Sequence, residues 1–211
     1  MVAVKTRVRA ATTQAKPSVR LSARDRLLAA ADELFYSEGV HVVGVDRIVG
    51  RAGVTKASLY NTFGSKEELV RAYLDKHFHD RQRSITRILA AHNTPRGRLL
   101  AVFAELEGAL AGSAWRGCRF IMASAEAKPG EAGAVVSEEY RAWLRSIFAD
   151  LGREAGVTNA KDFGRQLALL YDGTAVAARM DRDRRGAAVA MRSAVVTVLD
   201  AAIPMKRRRA G

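Results

Sequence analysis

Thr55, Lys56, Ala57, Ser58, Tyr60, Asn61 and Thr62 lie within a few residues of one another, with Leu59 and Phe63 at helical spacing among them. Small, polar and cationic side chains with one phenol can approach base edges closely and hydrogen-bond to phosphate oxygens. Other chemistry finds less support. The single cysteine, Cys118, sits in Gly117-Cys118-Arg119-Phe120 with no histidine near it in sequence, and reads as a small buried residue in a helix rather than a nucleophile. His77 and His79 are two apart on a helix, so they do not share a face, and neither belongs to an H-E-x-x-H pattern. No Walker loop or dinucleotide fingerprint occurs, and Glu138-Glu139 and Asp181-Arg182-Asp183 read as solvated charge. The chain is expected not to be an enzyme, and to need neither a cofactor nor a metal.

The elements that would carry these residues are helical. The four prolines, at 17, 95, 129 and 204, all fall where a helix would begin or end. No run sustains the period-two alternation of a strand, and the nearest, Val40 to Val45, is short and contains Gly44. A first helix is expected from about Ser22 to Ser37, with Ser22 as N-cap and Asp25 in capping-box position. Leu27, Leu28, Ala31, Leu34 and Phe35 form its apolar face, and Gly39 ends it. A short helix spans Val45 to Ala52, Gly53-Val54 breaks it, and a third begins at Thr55 and stops at Gly64. Ser65 and Glu68 form a second capping box that opens a long helix to about His92. Further helices are expected over 96–112, 115–127, 131–155, 159–181 and 184–203. The fold class is therefore all-α, with about nine helices.

Over 44–63 two short helices meet at a tight turn, held by Val45, Ile48, Val49, Ala52, Val54, Leu59 and Phe63. This is the pattern of a helix-turn-helix, whose second helix enters the major groove. The words Asp46-Arg47-Ile48, Ala52-Gly53-Val54-Thr55-Lys56, Leu59-Tyr60, Phe63 and Gly64-Ser65-Lys66-Glu67-Glu68-Leu69 resemble the TetR family of transcriptional regulators, at the family's spacing. The resemblance implies that Thr55, Tyr60 and Lys66 bind phosphates and that Lys56, Ala57, Ser58 and Asn61 face bases. Gly44, Arg47 and Thr62 complete the expected DNA-binding set. Where the family usually has Ser or Thr near position 44, this chain has Gly44. Glycine still caps acceptably, so the departure bears on the phosphate contact and not on the fold. The alternative is a helical bundle whose short helices never meet DNA.

Beyond residue 70 the resemblance weakens, although Gly117-Cys118-Arg119-Phe120 and Ala123-Ser124-Ala125-Glu126 look like a segment of some members. Stripes at three- and four-residue spacing run through Phe163, Leu167, Leu170, Tyr171, Thr174, Ala177 and Ala178, and through Ala187, Ala188, Met191, Ala194, Val195, Val198, Leu199 and Ala202. Their small residues permit close helix approach, as at a four-helix dimer interface or within the chain's own core. The resemblance favours the interface, with Leu167, Leu170, Thr174, Met191, Ala194, Val195 and Val198 as its contacts. It also implies a small-molecule pocket, for which Phe103, Trp115, Phe120, Met122, Trp143 and Tyr171 are the candidates.

The net charge of +13 is concentrated in tails: Lys5, Arg7, Arg9 and Lys16 within 1–17, and Lys206 to Arg209. Such tails either keep a protein dissolved or attract a polyanion, DNA first among them. The acid-free residues 1–24 faintly resemble a transit peptide, but read better as a basic arm. The domains expected are a flexible basic arm over 1–17, a helix-turn-helix DNA-binding domain over 18–66, a ligand-binding and dimerisation domain over 67–205, and a basic tail over 206–211. The function expected is that of a bacterial, cytoplasmic, homodimeric repressor, released from a palindromic double-stranded DNA operator by a small, largely apolar effector, with no membrane partner. A non-specific architectural DNA-binding protein is the rival, separated by whether a preferred site survives competitor DNA.

Overall fold

A computed structural model describes residues 21–204, and the basic arm and tail expected from the sequence lie outside them. Among the described residues the chain forms α1 (Ala23–Glu38), α2 (Val45–Ala52), α3 (Lys56–Phe63), α4 (Lys66–Ala91), α5 (Pro95–Ala111), α6 (Arg119–Glu126), α7 (Ala132–Glu154), α8 (Ala160–Met180) and α9 (Arg184–Ala202). None of these helices is long and apolar enough to cross a membrane.

The helix starts follow their caps. The hydroxyls of Ser22, Thr55, Ser65 and Thr94 accept the N–H of the residue three positions on, satisfying donors that have no partner inside the helix. Asn159 and Asp183 do the same for α8 and α9. One boundary differs from expectation. Residues 115–118 are not helical, and Cys118 is the N-cap of α6 rather than a residue within a helix.

Buried apolar side chains form a continuous cluster from Leu27 of α1 to Leu199 of α9. α1, α2 and α3 close over Leu27, Phe35, Ile48 and Leu59, and Leu69, Val70 and Tyr73 of α4 extend that core toward α5–α9. α7 and α8 pack at short range because both carry glycine at the crossing. A Cβ on Gly164 would lie 2.8 Å from the Arg145 carbonyl and 2.9 Å from the Ala149 nitrogen, and one on Gly152 would lie 2.6 Å from the Phe163 ring.

Burial within the chain takes Leu167, Thr174, Met191 and Val195 out of the expected dimer contacts. Leu170, Ala194 and Val198 are half-buried. The buried members of the stripes face the chain's own core, and Leu170 and Val198 pack partly against it. The opposite faces carry Leu169 (65% exposed), Val176, Met180 (75%) and Val189 (57%).

Candidate nucleic-acid interface and internal cavity

The turn between α2 and α3 rests on backbone geometry and one arginine. Gly53 adopts φ +63°, a left-handed conformation that a side chain would strain, and the Val54 N–H donates to the Val49 carbonyl at 3.1 Å. The Arg26 guanidinium of α1 donates to the carbonyls of Ala52 (3.2 Å) and Gly53 (3.0 Å). Arg51 pairs with Glu33, and Arg47 with Glu38, so both ends of α2 are tied to α1. Leu59 is fully buried beneath α3, while Phe63 is half-buried with the Arg24 guanidinium 5.6 Å from its ring centre.

On the outer side of α3, Lys56, Ala57, Tyr60, Asn61 and Thr62 are exposed. Tyr60 exposes 48% of its surface, with a phenol that can hydrogen-bond outward. Besides Arg47, which is paired with Glu38, several of the expected DNA contacts have prior engagements. Lys56 pairs with Asp46 at 2.7 Å, and that hydrogen bond and charge raise its pKa. The Thr55 hydroxyl accepts the Ser58 N–H, and Thr62 donates to the Ser58 carbonyl. Gly44 is exposed as the N-cap of α2, with no side chain to offer a phosphate.

Lys66 is placed differently from expectation. Its ammonium donates to the Val40 carbonyl at 2.7 Å and is half-buried, so it holds the α1–α2 loop instead of facing outward. Glu126, at the end of α6, accepts the His41 N–H from the other side at 2.7 Å. The sequence did not mark Arg26, and marked Glu126 only as the end of a family-like segment, because their partners lie 26 or more positions away and are backbone atoms with no pattern of their own.

A cavity of about 300 Å³ lies among α1, α4, α5, α6, α7 and α8. Of the expected pocket residues, Trp115, Phe120 and Tyr171 line it. Phe103 does not, because its ring stacks on Phe148 in the core at 5.4 Å. Trp143 packs edge-on against Phe78, and Met122 faces a separate cleft with Ala175 and Met180. Tyr140 lines the cavity too, and the lining includes Tyr36, Arg81, Ser84, Glu105 and Asp172, which the aromatic pattern did not mark. Arg81 pairs with Glu105 and donates to the Tyr171 hydroxyl, and Ser84 donates to Glu105 at 2.6 Å. Asp172 is bound by Arg141 at 2.8 Å, but burial pushes its pKa up against the pull of Arg141 and Arg145. Cys118 borders the cavity as a thiol whose pKa burial raises, which makes it a poor nucleophile.

An exposed recognition helix backed by a fixed turn defines a helix-turn-helix DNA-binding protein. Residues 27–73 match the pattern of the bacterial regulatory proteins of the tetR family. The fold superposes on a TetR-family transcriptional regulator from Streptomyces coelicolor with a TM-score of 0.82 and 31% identity, over 86% of this chain and 96% of that one. A TetR transcriptional regulator from Streptomyces avermitilis gives 0.77 and 30%, over 86% and 98%. The HTH-type transcriptional activator FasR of Mycolicibacterium smegmatis is 41% identical over 78 residues, 37% of this chain and 36% of FasR, so the match spans about a third of that relative's length. The chain belongs to the TetR family of DNA-binding transcriptional regulators.

Proposed function

We propose that this regulator is a repressor that holds a two-fold symmetric operator as a homodimer and leaves it when a small molecule fills the cavity. The observation that carries the reading is that Tyr36, on the first helix of the DNA-binding unit, is itself part of the cavity wall. A ligand there meets the DNA-binding unit without an intermediary. In this reading residues 18–66 bind DNA and 67–205 bind the ligand and the second copy. Tyr60 and Thr55 reach phosphates, and Lys56, Ala57, Ser58 and Asn61 turn to bases, with Arg47 and Thr62 beside them. The seam of the dimer is the exposed apolar face of Leu169, Val176, Met180 and Val189.

Thermodynamics sets the terms: the ligand must prefer the conformation that does not fit the operator, and operator must weaken ligand by the same factor. The test is selection of bound sites from random DNA, followed by a reporter carrying the selected site. Repression predicts an inverted repeat with half-sites about 34 Å apart, or a multiple of it, and expression that rises when the regulator is removed. A second reading, activation, is favoured by the name of the FasR relative, and there expression falls on removal.

A further inference from the structure

We infer that the turn between α8 and α9, with Arg116 beside it, is a second DNA-facing surface, which attracts the operator phosphates lying between the two half-sites. The inference rests on the reading of the chain as a homodimer joined through the exposed face of α8 and α9. Arg116, Arg179, Arg182 and Arg185 are all exposed. None of the four joins an ion pair among the described residues, whereas at the other end of the same helices Arg96 pairs with Asp200, Arg98 with Glu154 and Arg165 with Asp162. The four form one patch. A Cβ on Gly117 would lie 3.3 Å from Arg179 Cδ, and Arg184 ties the turn to 112–115 by donating to the Gly112 carbonyl at 2.8 Å with its guanidinium 5.6 Å from the centre of the Trp115 ring. Over 179–185 four arginines meet two aspartates, of which Asp183 is occupied in accepting the Gly186 N–H at 2.7 Å as the cap of α9.

The position of the patch selects its partner. The Tyr36 hydroxyl of α1 donates to the Gly117 carbonyl at 3.1 Å and accepts the Arg116 N–H at 2.7 Å, and Glu67 at the start of α4 accepts the Ala132 N–H at the start of α7. The unpaired arginines therefore gather at the end of α5–α9 that meets the DNA-binding unit, and the ion-paired ones at the end away from it. A role in keeping the protein dissolved would not choose an end. Met180 and Val189, on the exposed apolar face, flank the turn. Joining two copies through that face brings their two turns together at the two-fold axis, midway between the recognition helices. The DNA beneath the axis is the spacer between half-sites, which α3 does not read. Attraction to its phosphates needs no base contact and acts over about 10 Å at 0.1 M salt. An acidic protein segment would suit the charge, but nothing in this placement between two DNA-binding units calls for one.

The test compares the full-length protein with a quadruple variant, Arg116→Gln, Arg179→Gln, Arg182→Gly and Arg185→Gln, on an operator selected from random DNA. Glycine is used at 182 because Arg182 holds φ +56°, which glycine adopts without strain. Circular dichroism and sedimentation are expected to match the wild type, since none of the four side chains is tied to an acidic partner in the fold. At about 0.1 M salt the variant is expected to associate about tenfold more slowly, to bind about tenfold more weakly, and to show a shallower salt slope. Methylphosphonates in the spacer are expected to bring the wild type down to the level of the variant and to leave the variant unmoved. Methylphosphonates outside the half-sites are expected to preserve the difference between the two proteins. A variant that associates and binds as the wild type does overturns the inference, leaves the dimer reading standing, and turns the search for the patch's partner to an acidic protein. A difference that persists on the spacer methylphosphonate operator overturns it as well, because the arginines then act elsewhere on the DNA. A wild type that sediments as a monomer on and off the operator removes the dimer reading, and the inference with it.

Discussion

The ammonium of Lys66 lies 2.7 Å from the Val40 carbonyl, and burial lowers its pKa against the opposing charges of Glu126 and Glu67. A lysine so placed shapes the α1–α2 loop, whereas Tyr60 stands free on α3. The two residues therefore fail differently. Lys66→Ala is expected to lower the melting temperature together with DNA affinity. Tyr60→Ala is expected to weaken binding to operator and unrelated DNA alike with melting unchanged, because a phosphate contact positions the protein without reading sequence. Scanning calorimetry and fluorescence anisotropy on both DNAs check this. An unchanged melting temperature and a salt slope smaller by about one in Lys66→Ala would instead mark a phosphate contact. Lys56→Ala is expected to relax preference at particular base pairs by about 1–3 kcal/mol, once freed competition from Asp46 is accounted for by Asp46→Asn.

Among the elements, α1 is held to α4 and α6 through Asp32. Burial alone raises its pKa, but the hydrogen bond from His77 and the charges of His77, Arg119 and Lys76 outweigh that and lower it. A carboxylate lowered in the fold contributes stability above its unfolded value of 3.8 that is lost as pH falls through the folded value. Acid unfolding below about pH 4 is expected to be shallower in Asp32→Asn, which has no such contribution to lose; melting curves against pH measure it. The α7–α8 crossing supplies another test. Gly164→Ala places a methyl group against backbone atoms of α7 that cannot yield as a side chain would. It is expected to cost about 1–3 kcal/mol in urea unfolding. A variant as stable as the wild type would mean that the helices separate freely there.

For the whole molecule, a symmetric operator demands two recognition helices at fixed separation, so the surface joining two copies matters as much as the helix itself. Leu169→Asp with Val189→Asp places charge on the exposed face of α8 and α9 and is expected to give folded monomers that lose specific operator binding. Val195→Asp, at 1% exposure, is expected to unfold the chain instead. Sedimentation with circular dichroism separates the outcomes, and a double variant that still sediments as a dimer would remove this face from the proposal.

What the sequence determined by itself is local. Ser22, Thr55 and Ser65 cap their helices through atoms three residues away, and the Gly53 turn depends on neighbours within one helical turn, so type and spacing were enough to read them. The inward positions Ile48, Val49, Ala52 and Leu59 were legible for the same reason. Periodicity finds a helix's apolar face but does not say which surface that face meets. Only the tertiary structure decided that Leu167, Thr174, Met191 and Val195 are buried in their own chain, and that Leu169, Val176, Met180 and Val189 stay uncovered on it. The cavity was hidden likewise, since Tyr36, Arg81, Glu105 and Asp172 converge from four helices and share no spacing along the chain. Lys66 shows the limit in one residue: its type and motif place it at the start of α4, but the carbonyl that occupies it belongs to a loop 26 positions earlier, brought near only by the packing of α1 on α4.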